Sequence, residues 1–154
     1  MKVFEFRLQT KLEITERQED IAKAELFEKQ MIYDEALAQL NELCDSMEEL
    51  NNTLRGKTGH RLHIDDIIVL KQYQLVLKDR IIEQEAVVAE AETIMELARL
   101  ALLEIVKERK TLTRLREREF KEYMREFMRV EQGEIDEVAT TRYWRANIRR
   151  NDDA

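Results

Sequence analysis

The residues that could do chemistry are few, and most of them fall in one short stretch. Arg55-Gly-Lys-Thr-Gly-His-Arg-Leu-His63 places a lysine and a threonine behind a glycine, with two imidazoles close by. Gly56-Lys57-Thr58 reads like the end of a phosphate-binding loop, in which backbone amides and the lysine cradle a polyphosphate. That loop needs another glycine five positions earlier, where this chain has Asn51. It also needs a strand ahead of it, and the residues ahead repeat with helical spacing. No nucleotide site is expected. His60 and His63 have no further ligands nearby, and a metal needs more than two imidazoles; they read as solvated turn residues. The single cysteine, Cys44, has no internal partner for a disulfide and nothing implies an oxidising compartment. Lying beside the seam residue Leu43, it is expected to serve as a small packing residue. Without a nucleophile paired to a base, the chain is expected to be no enzyme, with no cofactor, no metal and no small-molecule substrate.

The elements that carry these residues are set by spacing. The chain has no proline and three glycines, two of them Gly56 and Gly59 in the stretch above. Ahead of it, Leu8, Leu12, Thr15, Glu19, Ala22 and Leu26 begin a run on alternating four- and three-residue steps that continues to Leu54. Behind it, Ile67, Leu70, Gln74, Leu77, Ile81 and Gln84 begin a second such run that continues to Leu112. This step is the heptad seam by which under-wound helices face one another. Glycine ends helices, and a connection of about nine residues closes at little entropic cost. The expected fold is all-α: two long helices in an antiparallel coiled-coil hairpin, forming one elongated domain over residues 1–154. Helix one should span about 6–55, the turn about 56–63 and helix two about 64–148. At ~1.5 Å per residue, a second helix of that size would be roughly 130 Å long. Asp65 and Asp66 fall in its first turn, where carboxylates complement the helix dipole. Because the seam of helix one is more apolar near the turn, that half is expected to be the tighter one.

Composition agrees. Charged residues make up 38% and aromatics only 6%. A disordered polyelectrolyte could have that balance, but not two sustained seams. The net charge of −7 hides a segregation of sign. Between Lys11 and Leu54 there are 4 basic and 12 acidic residues; between Lys107 and Arg150 there are 13 basic and 9 acidic. The carboxylates interleaved with the second group argue against a nucleic-acid groove. The opening residues lack the apolar core of a signal peptide, and no run approaches the ~20 apolar residues a membrane span requires. A cytoplasmic protein with at most peripheral membrane contact is expected.

Pairing about the turn sets position i opposite roughly 118 − i, so helix one is used up near Lys110. Helix two then runs on for about 40 residues. There the apolar positions change phase to Leu115, Phe120, Tyr123, Phe127 and Val130. Nothing in the chain is expected to cover that stripe. Arg114, Arg116, Arg118, Lys121, Arg125 and Arg129 surround it. Aromatic anchors ringed by arginine are favoured at protein interfaces, so Leu115, Arg118, Phe120, Tyr123, Phe127 and Val130 are candidate partner-binding residues. Gly133 lies within the expected second helix beyond them, where a glycine costs ~1 kcal/mol.

Several blocks along the chain carry a family resemblance. Phe4-Glu-Phe-Arg-Leu-Gln-Thr-Lys-Leu12 resembles the F-x-F-R-L-Q-x-x-L opening of the FliJ family, the bacterial flagellar type III export proteins. The run from Leu70 to Gln84 looks like the start of that family's second helix, and the stretch from Lys107 to Arg118 together with Glu131-Gln-Gly-Glu-Ile-Asp-Glu137 like its C-terminal signature. The resemblance implies a hairpin similar to the central stalk subunit of rotary ATPases. It implies three partners: the hexameric export ATPase, the cytoplasmic domain of the export gate protein, and export chaperones. It also points to Tyr73 and Leu77, one helical turn apart, as an aromatic-plus-apolar pair that grips the gate, although Leu77 could equally pack in the seam. A prefoldin-like general chaperone is the competing class, but its inserted β-hairpins would not fit a nine-residue turn. The equivalent stalk component of a virulence-type injection system is a nearer alternative, against which the Phe4–Leu12 block favours the flagellar role.

Overall fold

In a computed structural model, residues 3–56, 59 and 61–152 are described, with side chains to residue 148. They contain two α-helices, α1 (Gln9–Leu54) and α2 (Ile64–Asp152), and no strand. The fold is the expected two-helix antiparallel coiled-coil hairpin, with 46 residues in α1 and 89 in α2. Lys57, Thr58 and His60, the residues of the phosphate-loop and imidazole readings, lie outside the described residues.

The helix ends between α1 and α2 follow from local chemistry. Arg55 N–H still donates to Asn51 O, and Gly56 N–H to Thr53 O at 3.1 Å. Gly56 itself has φ 73°, the left-handed conformation that a Cβ resists and that stops a helix. His63 caps the start of α2. Its N–H donates to Asp66 Oδ2 at 3.3 Å, one half of a capping box, and its carbonyl accepts the first helical bond from Ile67.

Two compact units are distinguished along the chain, residues 17–106 and residues 1–16 with 107–154. In the first, the buried residues are Glu19, Ala22, Ala36 and Leu50 of α1 and Leu77 and Ala91 of α2. All lie on the predicted seams. Polar seam residues are paired rather than stranded: Gln84 Nε2 donates to Ala36 O at 2.8 Å, Gln74 Nε2 to Asn51 Oδ1 at 2.7 Å, and Glu19 pairs with Lys23 at 2.7 Å. Among the described residues, no buried side-chain polar atom lacks a hydrogen-bond partner. Satisfied polar contacts cost less than orphaned ones and fix register. Ala36 and Gln84 total 120, close to the expected 118, whereas Asn51 and Gln74 total 125. The offset follows from side chains leaning towards the N-terminus of their own helix. In an antiparallel pair, each of the two amides therefore reaches a level below its own Cα.

In the second unit, Lys11 faces Glu108 at 3.1 Å, again near the expected register. Here the structure departs from expectation at the start of helix one. Helix one begins at Gln9, not near residue 6; Val3–Phe6 are irregular and a turn at Arg7 and Leu8 leads in, with Gln9 N–H bonded to Phe6 O. Helix two passes through Gly133 without a break, as its expected span of about 64–148 requires. The half of α1 near the turn is also not the tighter one. Leu12 and Thr15 are among the most deeply buried residues of the chain. The reason is a third layer: the irregular segment adds Phe6 to the pair of helices, so Leu12 and Leu112 are covered on another side. Cys44 is exposed, so it is not the small packing residue that its place beside Leu43 suggested.

Candidate partner-binding surface

Residues 1–16 and 107–154 bring the aromatic stripe and the N-terminal segment together. Phe6, Leu12 and Leu112 form a small core, and Phe4, Leu8 and Leu115 pack against it. Phe4 then stands edge-on to Phe120, ring centroids 5.2 Å apart at 73°, and tilted against Tyr123 at 5.5 Å. Edge-to-face and offset pairs of this kind suit the ring quadrupole and add ~0.5–1.5 kcal/mol beyond the area they bury. The ladder continues down α2, with Phe120 to Tyr123 at 6.4 Å and Tyr123 to Phe127 at 6.3 Å, both nearly parallel. Residues three and four apart on a helix are surface neighbours, which is what lines these rings up.

The expectation that nothing in the chain covers the stripe is therefore corrected. Leu115 is a flank of the core, and Phe4 covers one side of Phe120 and Tyr123. What stays open is a composite surface. Phe120 keeps 46% of its area exposed, and Met128 and Val130 are exposed further along. Beside Phe4 a groove of about 270 Å³ is lined by Phe4, Thr113, Arg116, Glu117 and Phe120. Arg118 is exposed. Arg129 is already engaged: two hydrogen bonds to the Glu126 carboxylate, the shorter 2.7 Å, raise its pKa above the ordinary arginine value. The sequence reading missed Phe4 and Phe6 as members of this surface. The available signal was two aromatic residues spaced by one, ahead of any helical step.

The second candidate pair is split by the structure. Leu77 has 0% of its area exposed and belongs to the seam, so it has no surface to offer a partner. Tyr73 is 45% exposed, and its helical neighbours Val69 and Val76 are exposed with it. Among the described residues, no group of three or more His, Cys, Asp or Glu is placed to hold a metal, and no helix is long and apolar enough to cross a membrane.

The family model of the flagellar FliJ protein matches residues 4–147, nearly the whole chain and including both halves of the aromatic surface. The chain belongs to the FliJ family. Membership makes it a component of the flagellar type III export machinery at that general level. Among solved structures, FliJ-like architecture is matched by CT670 from Chlamydia trachomatis, described as a YscO homologue. The two superimpose with a TM-score of 0.55 over 90% of this chain and 94% of that one, at 23% identity. At that identity the likeness speaks for the fold. No curated protein sequence matches the chain.

Proposed function

We propose that this FliJ-family chain is a non-enzymatic stalk and escort protein of the flagellar export apparatus. On this reading it is cytoplasmic and held at the inner face of the membrane only through that apparatus. The surface of Phe4, Phe120, Tyr123, Phe127 and Val130, with Arg118 at its rim, meets the export ATPase hexamer. The region around Tyr73 meets the cytoplasmic domain of the export gate protein, and export chaperones are carried by the same protein. The observation that supports the reading best is the half-open aromatic ladder among arginines. Large rigid rings supply contact area at low entropic cost, and arginine supplies steering and rim contacts.

The test is reconstitution with the purified export ATPase. Phe120→Ala with Phe127→Ala is expected to abolish stimulation of ATP hydrolysis, while helicity measured by circular dichroism is retained. Deleting residues 1–7 should weaken stimulation as well, because Phe4 is part of the surface. Full stimulation by a fragment ending near Lys110 would overturn the assignment and move the ATPase contact elsewhere on the hairpin.

A further inference from the structure

The seams of α1 and α2 account for one face of each helix, and α2 carries a second apolar column that they do not use. Ile68, Leu75, Ile82 and Ala89 recur every seven residues within the unit of residues 17–106. They point away from the seam, and Ile68, Leu75 and Ile82 are 51%, 63% and 63% exposed. A seven-residue step returns to nearly the same direction on a helix, so this is a continuous stripe. Along one edge of it runs a second heptad column, Lys71, Lys78, Glu85 and Glu92: two cations followed by two anions. All four side chains are exposed, and among the described residues none of them is engaged in an ion pair.

We propose that this face binds a second copy of the chain, with the two α2 helices antiparallel back to back. Charge order selects both the occupant and the direction. A two-fold axis at the level between Lys78 and Glu85 sets that edge against itself in reverse. Lys78 then meets Glu85 of the other copy and Lys71 meets Glu92, and each pairing occurs twice. A parallel pairing instead sets an edge residue against the one five further along on the other helix. That keeps one attractive contact, Lys78 to Glu83, but sets Glu85 against Glu90 in repulsion and leaves Lys71 and Glu92 facing Val76 and Leu97. The antiparallel order makes all four edge charges attractive. Edge charges of this kind choose partner and orientation in coiled coils. The column repeats over three heptads, from Ile68 to Ala89, and supplies one of the two seam positions in each. Gln72 and Asp79 fall on its other side, and polar residues in a seam lower its stability while fixing its register. The self-association is accordingly weak and charge-directed.

The experiment is sedimentation of the full chain over a concentration series at low salt. The wild type should show a reversible monomer–dimer equilibrium. Lys71→Glu with Lys78→Glu, and separately Glu85→Lys with Glu92→Lys, should each weaken self-association at least tenfold. Mixed in equal amounts, the two variants should form a heterodimer that restores the wild-type association. Circular dichroism checks that each variant is still helical. If either has lost helicity, Ile82→Lys alone, at the centre of the column, is expected to abolish the dimer. A wild type that stays monomeric throughout overturns the proposal and leaves the stripe to a helix of another protein. Charge-reversed variants that associate as the wild type does, or that fail to complement each other while folded, overturn it too.

Discussion

Tyr73 and Leu77 sit one helical turn apart, and truncating them is expected to have opposite consequences. Leu77 is wholly enclosed in the seam. Leu77→Ala should leave a cavity and cost about 2–5 kcal/mol of stability, the range for a fully buried leucine. Chemical denaturation would register this as a lower midpoint with an unchanged slope. Tyr73→Ala removes a half-exposed ring and should change stability by no more than about 0.5 kcal/mol. Its expected effect is selective, a loss of affinity for the export gate domain in a pull-down or by calorimetry. Equal destabilisation by both substitutions would mean that Tyr73 is also a packing residue. Heptad spacing placed Leu77 on the seam from the start. It could not say whether a residue one position off the seam would be covered, because that depends on how far the partner helix wraps.

At the scale of elements, α1 and α2 were legible because period, glycine placement and the acidic first turn all agreed. The misjudged start of α1 and the tolerance of Gly133 inside α2 have separate causes. The irregular opening at Val3–Phe6 is a tertiary effect, since Phe6 gains burial against Leu112 that an extra turn of helix would deny it. The uninterrupted course of α2 through Gly133 reflects a weak local penalty, ~1 kcal/mol relative to alanine, set against a long cooperative helix. A Cβ built on Gly133 meets nothing within 4 Å, and the residue lacks the positive φ of Gly56 and Gly59. Gly133→Ala should therefore stabilise this part of α2 by about 0.5–1 kcal/mol. Hydrogen exchange of the amides around residues 128–138 should slow accordingly, with no change near Gly56. If protection there falls instead, the glycine is serving a bend that a partner requires.

For the whole molecule, the segregation of charge sign along the chain is the property that composition shows most plainly. The basic excess lies among residues 107–150, the range that carries the aromatic ladder. Charges on exposed side chains act over roughly 8–10 Å at physiological ionic strength. Raising salt from about 0.05 to 0.5 M is expected to slow association with the export ATPase while changing the dissociation rate much less. Stopped-flow or surface-binding kinetics would separate the two. A salt effect confined to dissociation would place the arginines inside the contact. The aromatic surface itself was half legible. Its α2 side stood out as a change of phase after Leu112, but its N-terminal side did not. No periodicity links Phe4 to Phe120, because one of them is not helical.

That separation has a consequence during synthesis. Phe4 leaves the ribosome 116 residues ahead of Phe120, and Phe6 waits nearly as long for Leu112. At ~5–20 residues per second, the two N-terminal rings stay uncovered for roughly 6–23 s. The seam of residues 17–106 can close in that interval, so the aromatic surface is the last part of the protein to assemble. A product cut short before Leu112 would keep Phe6 and Leu12 permanently bare, an apolar signal that proteases and chaperones recognise. The aromatic surface thus exists only on chains translated past Phe127.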